Sequence, residues 1–376
     1  MKILFVINTL GYGGAEVFTA RLANALRSKK HEVTVYVHNY GFDGLVIKNN
    51  FNDDIEIKFF KLNAIATYFM WKLNALTTLF GFSFKEWLNK IWFKYFIAKE
   101  NFTIISNQGI VTDEWLAGMQ LPAKIVSTIH EDYYYLFQKQ GESLIKRINN
   151  FANKINHFIY LSERSKEYLV RNFYVTESKF TKIYNGFDYT YSPSRNNSTI
   201  FTFGMIARGT DDKGWPELFK AFELLYAENR NIKLIAIGGQ NYFNGFEEKY
   251  KHLPIQFISS TNNPLNYIKQ FDAGVLPSIA ECLPNFIVEC LANGIPVIAT
   301  DVGEVSNMIK IGECDAGILI KLTKSRADIF EIKNAMVTLL NNLKYQQFKN
   351  NTELCYQQFD MDICVEKYLS VFKTCQ

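Results

Sequence analysis

Strand-like and helix-like segments alternate along this chain, stop at one polar stretch, and then start again, which restricts it to a pair of layered α/β units. Apolar runs at 3–7, 33–37, 125–129 and 158–161 read as strands, and an amphipathic pattern at 15–29 reads as a helix. Such alternation points to a parallel sheet with crossover helices on its faces. Residues 191–199, Y-S-P-S-R-N-N-S-T, are polar and broken by Pro193, so they read as an interdomain linker. Beyond them the pattern resumes with strands at 201–206, 232–237, 273–277 and 296–299 and a helix at 216–228. The expected architecture is two doubly wound, Rossmann-like domains facing a cleft, with ligands at the carboxyl ends of the strands. At 376 residues, with 48% hydrophobic and 21% charged positions, the chain can bury two cores of ordinary size.

The stretch P-S-I-A-E-C-L-P-N-F-I-V-E-C-L-A-N-G at 277–294 carries the densest chemical information. It follows a strand, places Pro284 where a first helical residue is expected, and places Gly294 just past the helix end. Glu281 then lies in the loop and Glu289 on the helix, an E-x7-E spacing. Amides of Leu283, Pro284's neighbours Asn285 and Phe286, and the helix dipole behind them favour a bound diphosphate. Carboxylates beside an anion site suit sugar hydroxyls, whose hydrogen bonds they accept. Taken alone, the spacing also fits a core helix with one exposed Glu.

Two cations precede this stretch, in A-R-G-T-D-D-K-G at 207–214. Arg208 follows a strand and Lys213 precedes a helix, so a fork and a point charge can converge on a diphosphate, the alternative being a surface ion pair. Asp211 and Asp212 lie between them, and one adjacent pair is a poor cage for a cation, so no metal is expected. Near the amino terminus, T-L-G-Y-G-G-A-E at 9–16 is not a dinucleotide fingerprint, because Glu16 stands where the last glycine would be. Gly13 and Gly14 either make a tight turn or let the backbone approach a phosphate or sugar. His130, in T-I-H-E-D at 128–132, follows a strand and is either structural or a site residue.

These elements together resemble the retaining glycosyltransferases of family 4, which have the GT-B fold. The resemblance runs from Gly13 to the last helix and rests on G-G-A-E, the Arg/Lys element, I-Y-N-G-F-D at 183–188 and E-x7-E. It implies domains at 1–190 and 199–360, with 361–376 crossing back onto the first. It implies a nucleotide-diphosphate sugar as donor substrate and no cofactor. Arg208 and Lys213 would stabilise the departing nucleotide, Glu281 would orient the sugar, and Glu289 would take the ribose or sugar. His130 would meet a donor or acceptor hydroxyl, and Gly13, Gly14 and 283–286 would line the donor. The chain departs from the family at Ala207, before Arg208, and at Glu131, where Asp is common after the His. It departs again at 304–307, and Asn307 is therefore left out of the site. A GT-B nucleotide-sugar epimerase and a non-catalytic GT-B partner protein are the alternative readings.

Between Lys58 and Lys99, seven lysines face one acid, Glu86, among thirteen Phe, Tyr and Trp residues. Basic, aromatic amphipathic helices favour anionic bilayer surfaces, and Lys72 interrupts the best apolar run, so the segment would lie on a membrane and not through it. Helices packed on the first core with lysines outward are the alternative. A net charge of +4 without a finger or RNP signature does not indicate nucleic acid. Six cysteines without C-x-x-C spacing, and Met1 leading directly into a strand, argue for a reduced, cytoplasmic setting. The expected place is peripheral, on the inner face of the cytoplasmic membrane, in surface polysaccharide synthesis with a glycan or lipid-linked glycan acceptor.

Overall fold

The computed structural model describes the whole chain except residues 12, 40–46, 61–82, 174, 195–197, 240, 260 and 262. It divides into two units, Met1–Phe187 with Met361–Gln376, and Asp188–Asp360. The first holds seven parallel strands, β1 (Lys2–Ile7), β2 (Glu32–Val37), β3 (Glu56–Phe59), β4 (Ile104–Asn107), β5 (Lys124–Ile129), β6 (His157–Tyr160) and β7 (Phe180–Lys182). Their order is β3-β2-β1-β4-β5-β6-β7, so the sheet reverses direction between β1 and β4.

Central strand β1 reads as an unbroken apolar run because both of its faces are covered. Leu4 and Val6 enter a core with Phe93, Trp115 and Phe158. Ile3, Phe5 and Ile7 alternate into a second core with Phe18, Leu22 and Tyr368. That second core includes the final helix, Met361–Cys375. Its Tyr368 hydroxyl lies 3.0 Å from Thr128 Oγ1, and Glu366 and Asp362 both pair with Lys29. Gly186, in the N-G-F-D segment, packs directly against this helix. A Cβ there would lie 2.9 Å from the Met361 Cα and 2.8 Å from the Cys364 Cβ.

The second unit is built on β8 (Phe201–Ile206), β9 (Ile232–Ile237), β10 (Ile255–Ile258), β11 (Ala273–Leu276) and β12 (Val297–Thr300). A short antiparallel pair, β13 (Lys310–Ile311) and β14 (Cys314–Asp315), precedes β15 (Gly317–Ile320). The parallel sheet runs β10-β9-β8-β11-β12-β15 and reverses between β8 and β11. Both units are therefore doubly wound, each with its own switch point.

Three local expectations differ from the structure. Pro284 is the N-cap and not the first helical residue: the helix runs Asn285–Ala292, because the first internal bond is from the Ile287 amide to the Pro284 carbonyl. Lys58 and Phe59 belong to edge strand β3, whose Ile57 and Phe59 follow a period of two. The polar stretch beginning at Tyr191 is bonded to the second unit, Ser192 and Ser194 donating to Ala292 and Asn293 carbonyls while Pro193 lies against Gly294. Gly294 itself has φ +68, as a residue just past a helix end requires. Among the described residues no helix is long and apolar enough to cross a membrane.

Replacing Gly186 by Ala forces backbone and side chain of the final helix to shift. Overpacking of this kind costs about 1–3 kcal/mol. Thermal unfolding of Gly186→Ala should show a transition several degrees lower than the parent.

Candidate functional site

In the second unit, polar groups collect at the switch point, where the loops after β8 and β11 meet. The Arg208 carbonyl accepts from Trp215 Nε1 at 2.9 Å and from the Thr210 amide, which turns the chain back toward the sheet. A single 3-10 turn, Asp211–Lys213, ends at Gly214 with φ +75. A Cβ on Gly214 would stand 2.2 Å from the Pro277 carbonyl oxygen, so only glycine lets the two loops touch. The contact is completed by the Ile279 amide donating to the Asp212 carbonyl.

This approach brings Lys213 Nζ to 2.7 Å from Glu281 Oε1, with side-chain exposures of only 9% and 13%. Asp212 Oδ2 is 3.9 Å from the same ammonium. Burial pushes the Asp212 carboxyl up, yet the Thr210 hydrogen bond and the charges of Lys213 and Arg208 outweigh it and hold the group below its ordinary range. The Arg208 side chain is exposed. Tyr242, which no sequence motif singled out, donates to Asp211 Oδ1 at 2.7 Å. Among the described residues no group of three or more His, Cys, Asp or Glu is placed to hold a metal ion.

Glu281 is held from its other side by the loop after β12. Gly303, at φ +57, would put a Cβ 1.9 Å from the Glu281 carbonyl oxygen, and the Glu304 amide donates to the Cys282 carbonyl. Asn307 Nδ2 in turn binds Glu304 Oε1 at 2.8 Å. The 304–307 segment thus braces the Glu281 loop through Glu304. The helix Asn285–Ala292 begins without a side-chain cap, and its first amides have no carbonyl within the helix to bond. Leu283, Pro284 and Phe286 are buried at this end, Asn285 is half-buried, and Glu289 sits half-buried one turn along.

The first unit gathers a different set at its own switch point. Gly13 caps the helix Gly14–Ser28, and a Cβ on it would fall 2.1 Å from Glu16 Oε2. Missing that Cβ, Glu16 folds back over the helix start and accepts from its own amide and from Thr9. Burial raises its carboxyl above the ordinary range against these two hydrogen bonds. A hydroxyl fits beside that carboxylate better than a second anion does.

His130 follows β5 and lies 2.9 Å by Nε2 from Gln108 Oε1. Neither neighbouring acid is its partner. Asp132 caps the helix Tyr133–Gln140, accepting from the Tyr134 and Tyr135 amides at 3.0 and 3.1 Å. Glu131 accepts from the Ile110 amide at the start of the helix Ile110–Ala117, and burial raises its carboxyl. Gly109, at φ +148, precedes that helix. Burial lowers the His130 imidazole to about 4.

Beneath them Asp113 is fully buried, accepting from Asn107 Nδ2 at 2.6 Å and Ser127 Oγ at 2.8 Å. Burial pushes it up to about 8, with Glu131 and Glu114 adding to the effect. The folded protein therefore keeps this proton until about pH 8, whereas the unfolded chain releases it near 4. Over that window the native state binds more protons, so Asp113 lowers stability as pH rises. His130 acts oppositely between about pH 4 and 6.5, where the unfolded chain binds the extra proton and stability rises with pH. Asp113→Asn should remove the alkaline loss and raise stability near pH 8 by on the order of a few kcal/mol, read from denaturant melts between pH 5 and 9.

Residues 192–354 match the family described as Glycosyl transferases group 1, and residues 12–191 match Glycosyltransferase Family 4. A capsular polysaccharide biosynthesis glycosyltransferase, CapM of Staphylococcus aureus, is 23% identical over 64% of this chain and 64% of its own length. The UDP-Gal:alpha-D-GlcNAc-diphosphoundecaprenol alpha-1,3-galactosyltransferase of Escherichia coli is 25% identical over 58% of this chain and 60% of its own. The chain thus aligns with less than two thirds of the length of these curated relatives. Among solved structures, Anabaena Alr3699/HepE in complex with UDP and glucose superposes with a TM-score of 0.76, covering 99% of both chains at 18% identity.

Proposed function

We propose that this chain, whose residues 12–191 and 192–354 match glycosyltransferase family models, transfers a hexosyl unit from a nucleoside-diphosphate sugar to a glycan or lipid-linked glycan. The transfer proceeds with retention at the anomeric carbon, needs no divalent metal, and serves bacterial surface-polysaccharide synthesis. The observation that carries this reading is the buried Lys213–Glu281 pair beside an uncapped helix start, with the exposed Arg208 on the adjoining loop.

Lys213 as a point charge, Arg208 as a fork and the amides at 283–286 would stabilise the negative charge that develops on the departing diphosphate. Glu281 is oriented by Lys213 through Oε1, which leaves Oε2 to accept from a sugar hydroxyl. Glu289 suits a ribose or sugar hydroxyl, and Gly13, Gly14 and His130 of the first unit suit hydroxyls of the transferred sugar or acceptor. The UDP and glucose bound by the Anabaena neighbour favour a UDP-hexose. The lipid-diphosphate acceptor named for the Escherichia coli relative, and the capsular pathway named for CapM, favour the acceptor class.

A lipid-linked acceptor places the enzyme at the inner face of the cytoplasmic membrane, and the first unit has a fitting surface. The helix Phe84–Glu100 buries Asn89, Phe93, Phe96 and Ile97 in the core. Trp87, Ile91 and Tyr95 recur every four residues on its outer side, exposed by 44%, 46% and 66%. Lys85, Lys94 and Lys99 are exposed with them, while Lys90 pairs with Glu86 at 3.1 Å. An apolar stripe edged by cations suits an anionic bilayer. The other basic and aromatic positions at 61–82 lie outside the described residues.

Two measurements test the reading. With a chelator present, wild type should transfer hexose from a UDP-hexose, and Arg208→Ala should bind UDP about ten- to a hundred-fold more weakly, the worth of one charge-assisted contact. Undiminished UDP affinity would refute the role of Arg208 in donor binding, and a rate that needs added magnesium or manganese would refute metal independence. In co-sedimentation with anionic vesicles, Lys85, Lys94 and Lys99 together changed to Glu should release the protein while leaving UDP binding intact, each lysine contributing about 1 kcal/mol. Indifference of the wild type to such vesicles at low salt would rule out the membrane surface.

A further inference from the structure

Three polar side chains stand in a line at the carboxyl edge of the first sheet. Ser106, in β4, is wholly buried, and Gln108, just past the strand, is 5% exposed. Gln108 Nε2 donates to Ser106 Oγ at 3.0 Å, which turns its Oε1 toward His130 Nε2. The backbone of Gln108 is fixed as well, its amide donating to the Val6 carbonyl of neighbouring β1 at 3.2 Å. Phe18 meets the imidazole edge-on, with ring centroids 5.7 Å apart.

We propose that Gln108 is the positioning residue for His130: it accepts from Nε2–H, holds one neutral tautomer in one orientation, and leaves Nδ1 as a fixed hydrogen-bond acceptor for a sugar hydroxyl. An amide oxygen differs from a carboxylate partner in one decisive way, since it accepts the Nε2 proton without supplying the negative charge that would favour an imidazolium. The two carboxylates adjacent in sequence are engaged elsewhere, Glu131 on the Ile110 amide and Asp132 on the Tyr134 and Tyr135 amides. Burial works in the same direction, keeping the ring neutral at physiological pH. His130 therefore orients a hydroxyl by accepting its hydrogen bond and does not act as a proton donor. The hydroxyl's identity rests on the transferase reading; the arrangement of Ser106, Gln108 and His130 does not.

The experiment reads imidazole nitrogen shifts in the full chain labelled with 15N-histidine, near pH 7 and without substrate. Only five histidines are present, and His130→Gln identifies the signal of interest. Wild type should show Nε2 protonated and Nδ1 unprotonated. Gln108→Ala should give mixed tautomers, and Gln108→Glu should keep Nε2–H while raising the protonation midpoint by at least one pH unit. The signals of His31, His38 and His157, which lie in the same unit as Gln108, staying at their wild-type positions confirm that each variant is folded. In turnover, Gln108→Ala should lower kcat about ten- to a hundred-fold with the KM for UDP-hexose within about twofold, the effect of a misoriented group. A wild-type Nδ1–H tautomer, or an unchanged His130 signal in folded Gln108→Ala, would overturn the proposal, as would full kcat in a variant whose signal has shifted. Absence of any transfer by wild type defeats the transferase reading instead, and the nitrogen shifts still decide whether Gln108 sets the tautomer.

Discussion

Parallel strands covered on both faces leave a sheet one place for polar chemistry, the edge where the strands end. In β1 every residue from Ile3 to Val6 is fully buried, and Phe203 and Met205 of β8 are buried as well. The apolar side chains of these two strands contribute packing alone. Hydrogen-bonding and charged groups are displaced to the carboxyl edge, and the reversal of strand order opens a gap there. Lys213, Glu281 and Asp212 occupy that edge in the second unit, and Gln108, His130 and Glu131 occupy it in the first.

At those edges, backbone proximity does as much as side-chain chemistry. Gly214 and Gly303 both have positive φ, and both lie within the radius of a missing Cβ from a carbonyl on the loop bearing Glu281. Together they hold that loop from two sides, so the carboxylate is placed by backbone that cannot move without breaking contacts. Lys213 can then remain nearly buried because its partner is fixed at hydrogen-bond distance. A buried ammonium facing a mobile acid would carry a large desolvation cost. The same logic explains why Asp211 is tied to Tyr242 and why Asp212 gives its carbonyl to Ile279.

The fold was legible because apolar strand runs and amphipathic helices repeat with distinct periods, and because the repeat restarts after a polar break. The places of Arg208, Lys213 and Glu281 were legible, since each lies at a strand or helix end that the pattern predicts, and Glu289 falls one turn into the helix that Gly294 ends. What escaped was contact between distant loops. Gln108 precedes its histidine by 22 residues and Tyr242 follows its aspartate by 31, and a polar loop residue has no periodicity to mark its partner. Position 284 was misread by one residue because an N-cap and a first helical residue differ only in which carbonyl accepts the first bond. Lys58 and Phe59 were read as helix because a cluster of lysines and aromatics obscured a four-residue strand. The described aromatics of that region also divide in a way composition does not show: Phe93 and Phe96 complete a core while Trp87 and Tyr95 face outward.

The final helix belongs to the first unit although the whole second unit precedes it in the chain. Tyr368, Phe372 and Val365 fill the same core as Phe18 and Leu22, so that face of the first unit stays open while the intervening body is synthesised. During translation, about 170 residues must be made between Phe187 and Met361, which takes on the order of ten seconds or more at ordinary elongation rates. The nascent amino-terminal half thus waits with a helix-sized apolar groove exposed, and a ribosome stalled before residue 361 would release a chain whose second unit is complete and whose first is not.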